Sequence, residues 1–243
     1  MIDQAIILAA GRGNRLKPLS DTMPKPMTEI NGIPILQNTL DRLDSAGIGS
    51  SCIVVGYLAE KIIHTYGPRH GKMELEYVFS PDFATTNNSH SLWLARDRLA
   101  RGCLLIEADV FFDPAVLGRL LRQPGSAWAV DVFTPAMNGW RLQADAGGRL
   151  VHGEYVQRSP AVPPGRYKSG GMLKIEPGLG RRFARWLDDA LPADSNAFFD
   201  LILGRHLDEA GVFACNINGL RWAEVDDLDD LALAEKIFAR RTK

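Results

Sequence analysis

Hydrophobic and polar positions along the chain fall into short apolar runs that alternate with longer amphipathic ones. Ala5-Ile6-Ile7-Leu8-Ala9 reads as a buried strand closed at once by glycine. Pro34, Leu36, Leu40 and Leu43 line one face of a helix that begins at proline and stops at Gly47. Cys52 to Val55 is a second strand, and Leu58 to Tyr66 a short helix. Leu75 to Phe79 is a third strand, with a helix around Ser91 to Leu99. Cys103 to Ile106 is a fourth, running into Glu107-Ala108-Asp109. A helix from about Pro114 to Leu121 and an extended Ala127 to Phe133 follow. Such a βαβα rhythm predicts an α/β fold, its mostly parallel central sheet covered by helices on both faces.

The later chain changes character. Arg141 to Tyr155 alternates in short pieces around Gly147-Gly148, as in a hairpin projecting from a sheet. Gln157 to Arg166 reads as a proline-rich loop, Arg181 to Leu191 and Phe198 to Glu209 as helices, and Phe213 to Ile217 as a strand. A last helix runs from its cap at Asp227 to Arg240. This pattern predicts one domain over 1–243, with a core over 1–133, an inserted acceptor-binding subregion over 134–210, and a final strand and helix over 211–243.

Composition narrows the field. The 243 residues carry 28 basic and 29 acidic side chains, a net charge of −1, which argues against partners made of nucleic acid or anionic lipid. Three scattered cysteines without a CxxC exclude a disulfide framework and a thiolate zinc site, and suit a reducing cytosol. The apolar run at Ala5 to Ala10 is too short for a signal peptide, and no stretch reaches the roughly 18 apolar residues of a membrane span. A cytoplasmic location is the expectation.

The segment Leu8-Ala9-Ala10-Gly11-Arg12-Gly13-Asn14-Arg15-Leu16 carries the chemistry. Small residues let backbone N–H groups approach a ligand, and Arg12, Arg15, Lys17 and Lys25 outnumber the one acid, Asp21, between positions 12 and 25. Exposed amides with surplus cations make a phosphate cradle. A dinucleotide fingerprint would need glycine where Leu16 stands, and no Gly-Lys-Ser/Thr of a P-loop is present. In Pro24-Lys25-Pro26 two fixed φ angles aim one ammonium, which can stabilise charge developing on a transferring phosphoryl group.

Together with Ile30-x-Gly32-x-Pro34-Ile35-Leu36, these motifs resemble the nucleotidyltransferases that make nucleoside-diphosphate sugars and alcohols. The resemblance implies a Rossmann-like nucleotidyltransferase fold, with a nucleoside triphosphate and a phosphorylated acceptor as substrates. It implies that Lys25 and Arg15 are catalytic, holding the triphosphate and steadying the α-phosphorus, and that Leu8, Ala9, Ala10, Gly11, Arg12 and Gly13 bind nucleotide.

A triphosphate brings Mg²⁺, which takes one or two carboxylates and leaves positions for phosphate and water. Glu107-Ala108-Asp109 ends a strand at the side of a parallel sheet where ligands gather. Glu224-Val225-Asp226 precedes the last helix, and residues two apart on extended chain face the same way. Asp227 with Asp230 already makes a capping box, yet five of the seven residues 224–230 are acidic, more than a cap needs. Asp109, Glu224 and Asp226 are the expected metal ligands, matching the family's late acidic motif. Glu107 is expected to support them, and Ala108 to border the nucleotide.

Ser80, Asn87, Asn88 and Ser89 offer amides and hydroxyls to a base and ribose, although turn and cap chemistry explains them equally well. The run Asn87 to Ala95 with Glu107-Ala108-Asp109 is similar to the cytidylyltransferase branch acting on phosphocholine and 2-aminoethylphosphonate, which implies CTP. Trp140 and Tyr155 are expected to face an acceptor ammonium, and Lys168-Ser169-Gly170, a small-residue turn with a cation, its phosphate or phosphonate. Glu154 or Asp200 could pair with an amine. A sugar-1-phosphate or inositol-phosphate nucleotidyltransferase is the nearest rival, a non-catalytic nucleotide sensor the rival of another class, and a homodimer is left open.

Overall fold

The computed structural model describes residues 2–134, 137–157 and 165–239. Most of the expected loop Gln157 to Arg166, and Arg240, lie outside them. The chain runs β1 (Gln4–Ala9), β2 (Glu29–Ile30), β3 (Ile33–Pro34), α1 (Ile35–Ser45), β4 (Ser50–Val55), α2 (Ala59–Tyr66), β5 (Arg69–His70), β6 (Met73–Phe79) and α3 (Asn88–Leu94). It continues through β7 (Cys103–Glu107), β8 (Val110–Phe112), α4 (Pro114–Arg122), β9 (Ser126–Val132), β10 (Gly139–Ala144), β11 (Leu150–Val156) and β12 (Arg166–Ile175). Last come α5 (Pro177–Ala190), α6 (Phe199–Gly204), α7 (Leu207–Ala210), β13 (Val212–Asn216), β14 (Trp222–Glu224) and α8 (Leu228–Ile237).

The main sheet follows the path β13-β9-β12-β7-β1-β4-β6, and along it β12 alone runs against the rest. Helices cover both faces, so the central strands are buried on two sides and read as unbroken apolar runs. One face packs Leu36, Leu40 and Leu43 of α1, Ile62 of α2 and Val116, Leu117 and Leu120 of α4 onto Ile7, Ile53 and Ile106. The other packs Leu92 of α3, Phe183 and Leu187 of α5 and Ile202 of α6 onto Ile6, Val54 and Leu105.

Boundaries depart from the sequence expectation where local hydrogen bonding intervenes. The helix expected over Ser91 to Leu99 starts earlier, capped by the Asn87 side chain on the Asn88 amide, and ends at Leu94 before a 3₁₀ turn over Arg96–Arg101. Phe198 to Glu209, expected as one helix, is two short ones. The hairpin β10–β11 forms, and it joins the sheet through β12 rather than projecting from it.

Lys168-Ser169-Gly170-Gly171, expected as a turn, lies inside the ten-residue β12. Its register shifts between Ser169 and Leu173, so the two halves of β12 meet different neighbours, β10 and then β7. Glycine is required at that bulge: Gly171 has φ +68°, and a Cβ there would meet Val110 at 2.6 Å.

A small ladder went unread in the sequence. β8 pairs antiparallel with β14, Val110 opposite Glu224, and the Val225 amide donates to Asp109 O at 3.0 Å. This ladder carries the late acidic segment to the carboxyl ends of β1 and β7, where both Asp109 and Asp226 belong. At the start of α8 the Asp227 carboxylate accepts from the Asp229 and Asp230 amides while Asp230 accepts from Asp227, so the capping box forms alongside.

Candidate active site

A cavity of about 380 Å³ opens at the carboxyl ends of β1 and β7. Its near side is made by the glycine-loop residues Leu8, Ala9, Gly11, Gly13 and Arg15 with Lys25, and its far side by Asn88, Glu107 and Phe198. A smaller cavity of about 110 Å³ adjoins it, lined by Ala10, Phe83, Thr86 and Ser91 and sharing Leu8, Gly11, Asn87 and Asn88 with the first.

Lys25 opens a 3₁₀ turn, Lys25–Met27, between Pro24 and Pro26. Its ammonium donates to Asp109 Oδ2 at 2.8 Å and to Asp226 Oδ1 at 2.7 Å, and Arg15 reaches the same Asp226 oxygen at 2.9 Å. Gly13, with φ +64°, permits this approach, since a Cβ there would stand 2.8 Å from the Lys25 Cβ. Burial opposes the Lys25 charge, but attraction to the two aspartates outweighs it and raises the pKa above its ordinary value. Burial likewise pushes Asp226 up, and Lys25 and Arg15 override it to hold the carboxyl below the usual range.

A family model for the MobA-like NTP transferase domain matches residues 5–184, a span that holds the glycine loop, Lys25 and Asp109. The chain belongs to that family. Among its relatives, the CMP-5'-(3-aminopropyl)phosphonate synthase of Streptomyces rubellomurinus is 35% identical over 97% of this chain, which spans 39% of that longer protein. The 2-aminoethylphosphonate cytidylyltransferase of Lancefieldella rimae is 28% identical over 94% of this chain and 90% of its own length. The solved CTP:phosphocholine cytidylyltransferase of Streptococcus pneumoniae, at 23% identity, shares the fold with a TM-score of 0.82 over 98% of this chain and 99% of that one.

Within this NTP transferase domain a second set of charges lies beyond the first. Lys168 is buried, and its ammonium meets Glu224 Oε2 at 2.6 Å. Gly139 leaves it room, since a Cβ there would stand 3.0 Å from that ammonium. Burial opposes the Lys168 charge, and Glu224 overcomes it to raise the pKa. Burial also raises Glu224 and, well above the carboxylate range, Glu107, whose neighbours Asp200 and Asp109 add repulsion. Asp200, on α6, is 2% exposed with Oδ1 unpartnered, and burial pushes it up to about 7. Asn88 bridges the two sides, donating to Glu107 Oε1 at 3.1 Å and accepting from the Phe199 amide at 2.9 Å.

Several expected site residues are brought together and several are diverted. Arg15 and Lys25 line the cavity, whereas Lys17 pairs with Asp21 at 3.4 Å and Arg12 lies on the rings of Tyr57 and Phe83. Glu224 and Asp226 do not face one point: the first goes to Lys168 and the second to Lys25, because the chain leaves β14 between them. Among the described residues no three acidic, histidine or cysteine groups gather closely enough to hold an ion. Two carboxylates do converge, and the buried Asp109 Oδ1 has no partner, so the donor set that fits a hard cation is Asp109 with Asp226.

Ser89 is fully buried and donates to Ala197 O at 2.6 Å, and the hydroxyl of buried Ser80 has no partner. Ser169 accepts from the Trp128 indole at 2.9 Å, and Gly170 packs against the Ala129 carbonyl. Trp140 is buried beside Gly153 and Gly204 and lines neither cavity, while exposed Tyr155 stacks on Phe198 at 6.2 Å. Phe198 itself lines the main cavity, and its place before α6 carries no signal that separates it from the other aromatics of that region. Arg141, not an amine, satisfies Glu154 at 2.8 Å. The three cysteines are buried and free, and no described helix is long and apolar enough to cross a membrane.

Proposed function

We propose that this domain transfers CMP from CTP to a small phosphonate or phosphate that carries an amine, releasing pyrophosphate. The observation that carries this reading is the Lys25 ammonium bracketed by Asp109 and Asp226 at the floor of the glycine-loop cavity. The activities of the aminopropylphosphonate, aminoethylphosphonate and choline-phosphate relatives support it.

In this reading an acceptor oxygen forms a bond to the α-phosphorus while the bond to the bridging oxygen breaks and pyrophosphate leaves. The acceptor is already ionised at neutral pH, so no general base is needed. Lys25 and Arg15 exchange carboxylate partners for phosphate oxygens and stabilise the added charge, so catalysis is positioning and charge neutralisation. Asp109 and Asp226 would hold Mg²⁺, which supplies further charge stabilisation to the bound triphosphate. The small cavity, bordered by Asn87, Ser91 and Ala10, is the place proposed for the base.

The acceptor approaches from the side of Phe198. There Glu107 lines the cavity, and behind it Asp200 and Glu224 share the one ammonium of Lys168, a surplus of carboxyls that favours a cationic amine over a neutral sugar hydroxyl set. The stacked Tyr155 and Phe198 faces favour a quaternary ammonium as a second reading. Pyrophosphate release is to be measured with CTP, UTP, GTP and ATP crossed against 2-aminoethylphosphonate, 3-aminopropylphosphonate, phosphocholine and glucose-1-phosphate. CTP with an amine-bearing acceptor is expected to be fastest. Turnover of UTP with the sugar phosphate, and none with CTP, overturns the reading.

A further inference from the structure

Arg12 differs from the other cations of the glycine loop. It is exposed, lines neither cavity, and holds its guanidinium 5.5 Å from the Tyr57 ring centre and 5.6 Å from that of Phe83. The two rings stand 6.3 Å apart at 54°, so one planar cation rests against both. A guanidinium stacks in this way and a lysine ammonium does so less well. Phe83 in turn forms a wall of the smaller cavity.

The segment that presents Tyr57 is built under constraint. Leu58 holds φ +50°, a conformation costly for a leucine. A Cβ on Gly56 would stand 2.7 Å from the Ala10 carbonyl oxygen and 2.8 Å from the Phe83 Cβ. From this turn Tyr57 donates its amide to Ala10 O at 3.0 Å and its hydroxyl to Asp21 O at 3.1 Å, and Lys61 donates to Thr22 O at 2.6 Å. The turn therefore grips the loop on both sides of Arg15. Backbone strain held in place by packing is a mark of a site where position matters.

We propose that Phe83 is a specificity-determining wall of the nucleoside pocket and that Arg12 is a positioning residue acting through Phe83 and Tyr57, not a ligand of the triphosphate. The proposal rests on the nucleotidyl-transfer reading above; it adds Phe83 and Tyr57, to which the glycine-loop motif does not point, and gives Arg12 a different task from the one the motif implies. Its consequence is a division of labour in one loop: Arg15 and Lys25 handle phosphate, and Arg12 shapes the space for the base.

Calorimetric titration of CTP, CMP and pyrophosphate into wild-type protein and the Arg12→Ala, Arg12→Lys and Phe83→Leu variants separates these roles. Arg12 is exposed, so its variants are expected to fold, and melting curves check this. Both Arg12 variants are expected to weaken CMP and CTP about tenfold while pyrophosphate stays within about twofold. In turnover the KM for CTP rises by the same factor with kcat nearly unchanged. Phe83→Leu gives the same pattern, and the Arg12→Ala/Phe83→Leu pair is no worse than either alone, because the two act as a unit. Wild-type affinity in Arg12→Lys, or pyrophosphate weakened in step with CTP, identifies a phosphate-binding cation and overturns the proposal alone. Wild-type protein that binds pyrophosphate but neither CTP nor CMP overturns it together with the reading on which it rests.

Discussion

Two neighbouring sets of charges, one lining the main cavity and one behind it, are balanced differently. On the glycine-loop side two carboxylates, Asp109 and Asp226, face two cations, Lys25 and Arg15, and every charge has a counterpart within 2.9 Å. On the side proposed for the acceptor, Glu107, Asp200 and Glu224 share the single ammonium of Lys168. The first set satisfies itself and must open when an anion arrives. The second is short of positive charge, which disfavours ionised carboxylates in a place with little water.

The strongest way to break this contrast is at Lys25. Lys25→Ala is expected to lower kcat by on the order of 10² or more, with a smaller effect on either KM. Near-normal turnover at saturating substrates would mean the balanced set has no catalytic task.

Next in size is the pH dependence of stability on the unbalanced side. Burial pushes the Asp200 carboxyl up from its ordinary value of 3.8 to about 7, so between those values the folded chain binds a proton that the unfolded chain does not. The Asp200 contribution to stability is then greatest at the acid end of that window and falls as pH rises through it. Denaturant melts from pH 4 to 7.5 should show this slope, and Asp200→Asn should flatten it. A slope unchanged in the variant assigns the titration elsewhere.

A smaller effect tests the ligand of that side. Glu224→Gln removes one negative charge and is expected to raise the KM for 2-aminoethylphosphonate about tenfold while that for CTP moves less than twofold. Parallel increases in both KM values would mean the two sets are not separable. Smallest is Ser89→Ala, which deletes one buried hydrogen bond to Ala197 O. It should cost about 1 kcal/mol of stability and leave CTP binding unaltered, measured by melting and titration.

Much of the nucleotide side was legible along the chain because its parts are local. Leu8 to Leu16 is a strand end, a glycine turn and a cation within one short stretch, and Pro24-Lys25-Pro26 aims its side chain by backbone restriction alone. The acceptor side was read poorly for the opposite reason. Trp140, Tyr155 and Phe198 look alike as isolated aromatics, and which of them borders a cavity depends on how α6 packs over β10 and β11. Lys168-Ser169-Gly170-Gly171 has the composition of a turn, yet two neighbouring strands claim it and turn it into a bulged strand. Glu224 and Asp226 follow the two-residue rule for extended chain only as far as β14 lasts, and the strand ends between them.

By itself the order of residues determined the alternation of strands and helices, the phosphate-seeking loop and the identity of the aimed lysine, because periodicity, glycine and proline act over a few neighbouring positions. Only the tertiary structure decided which acids meet that lysine, which one pairs with Lys168, and that Arg12 turns aside onto two rings. Those choices follow from the β8–β14 ladder and the Gly56 turn, where segments far apart in the chain are brought within hydrogen-bonding distance, and no local pattern carries that information.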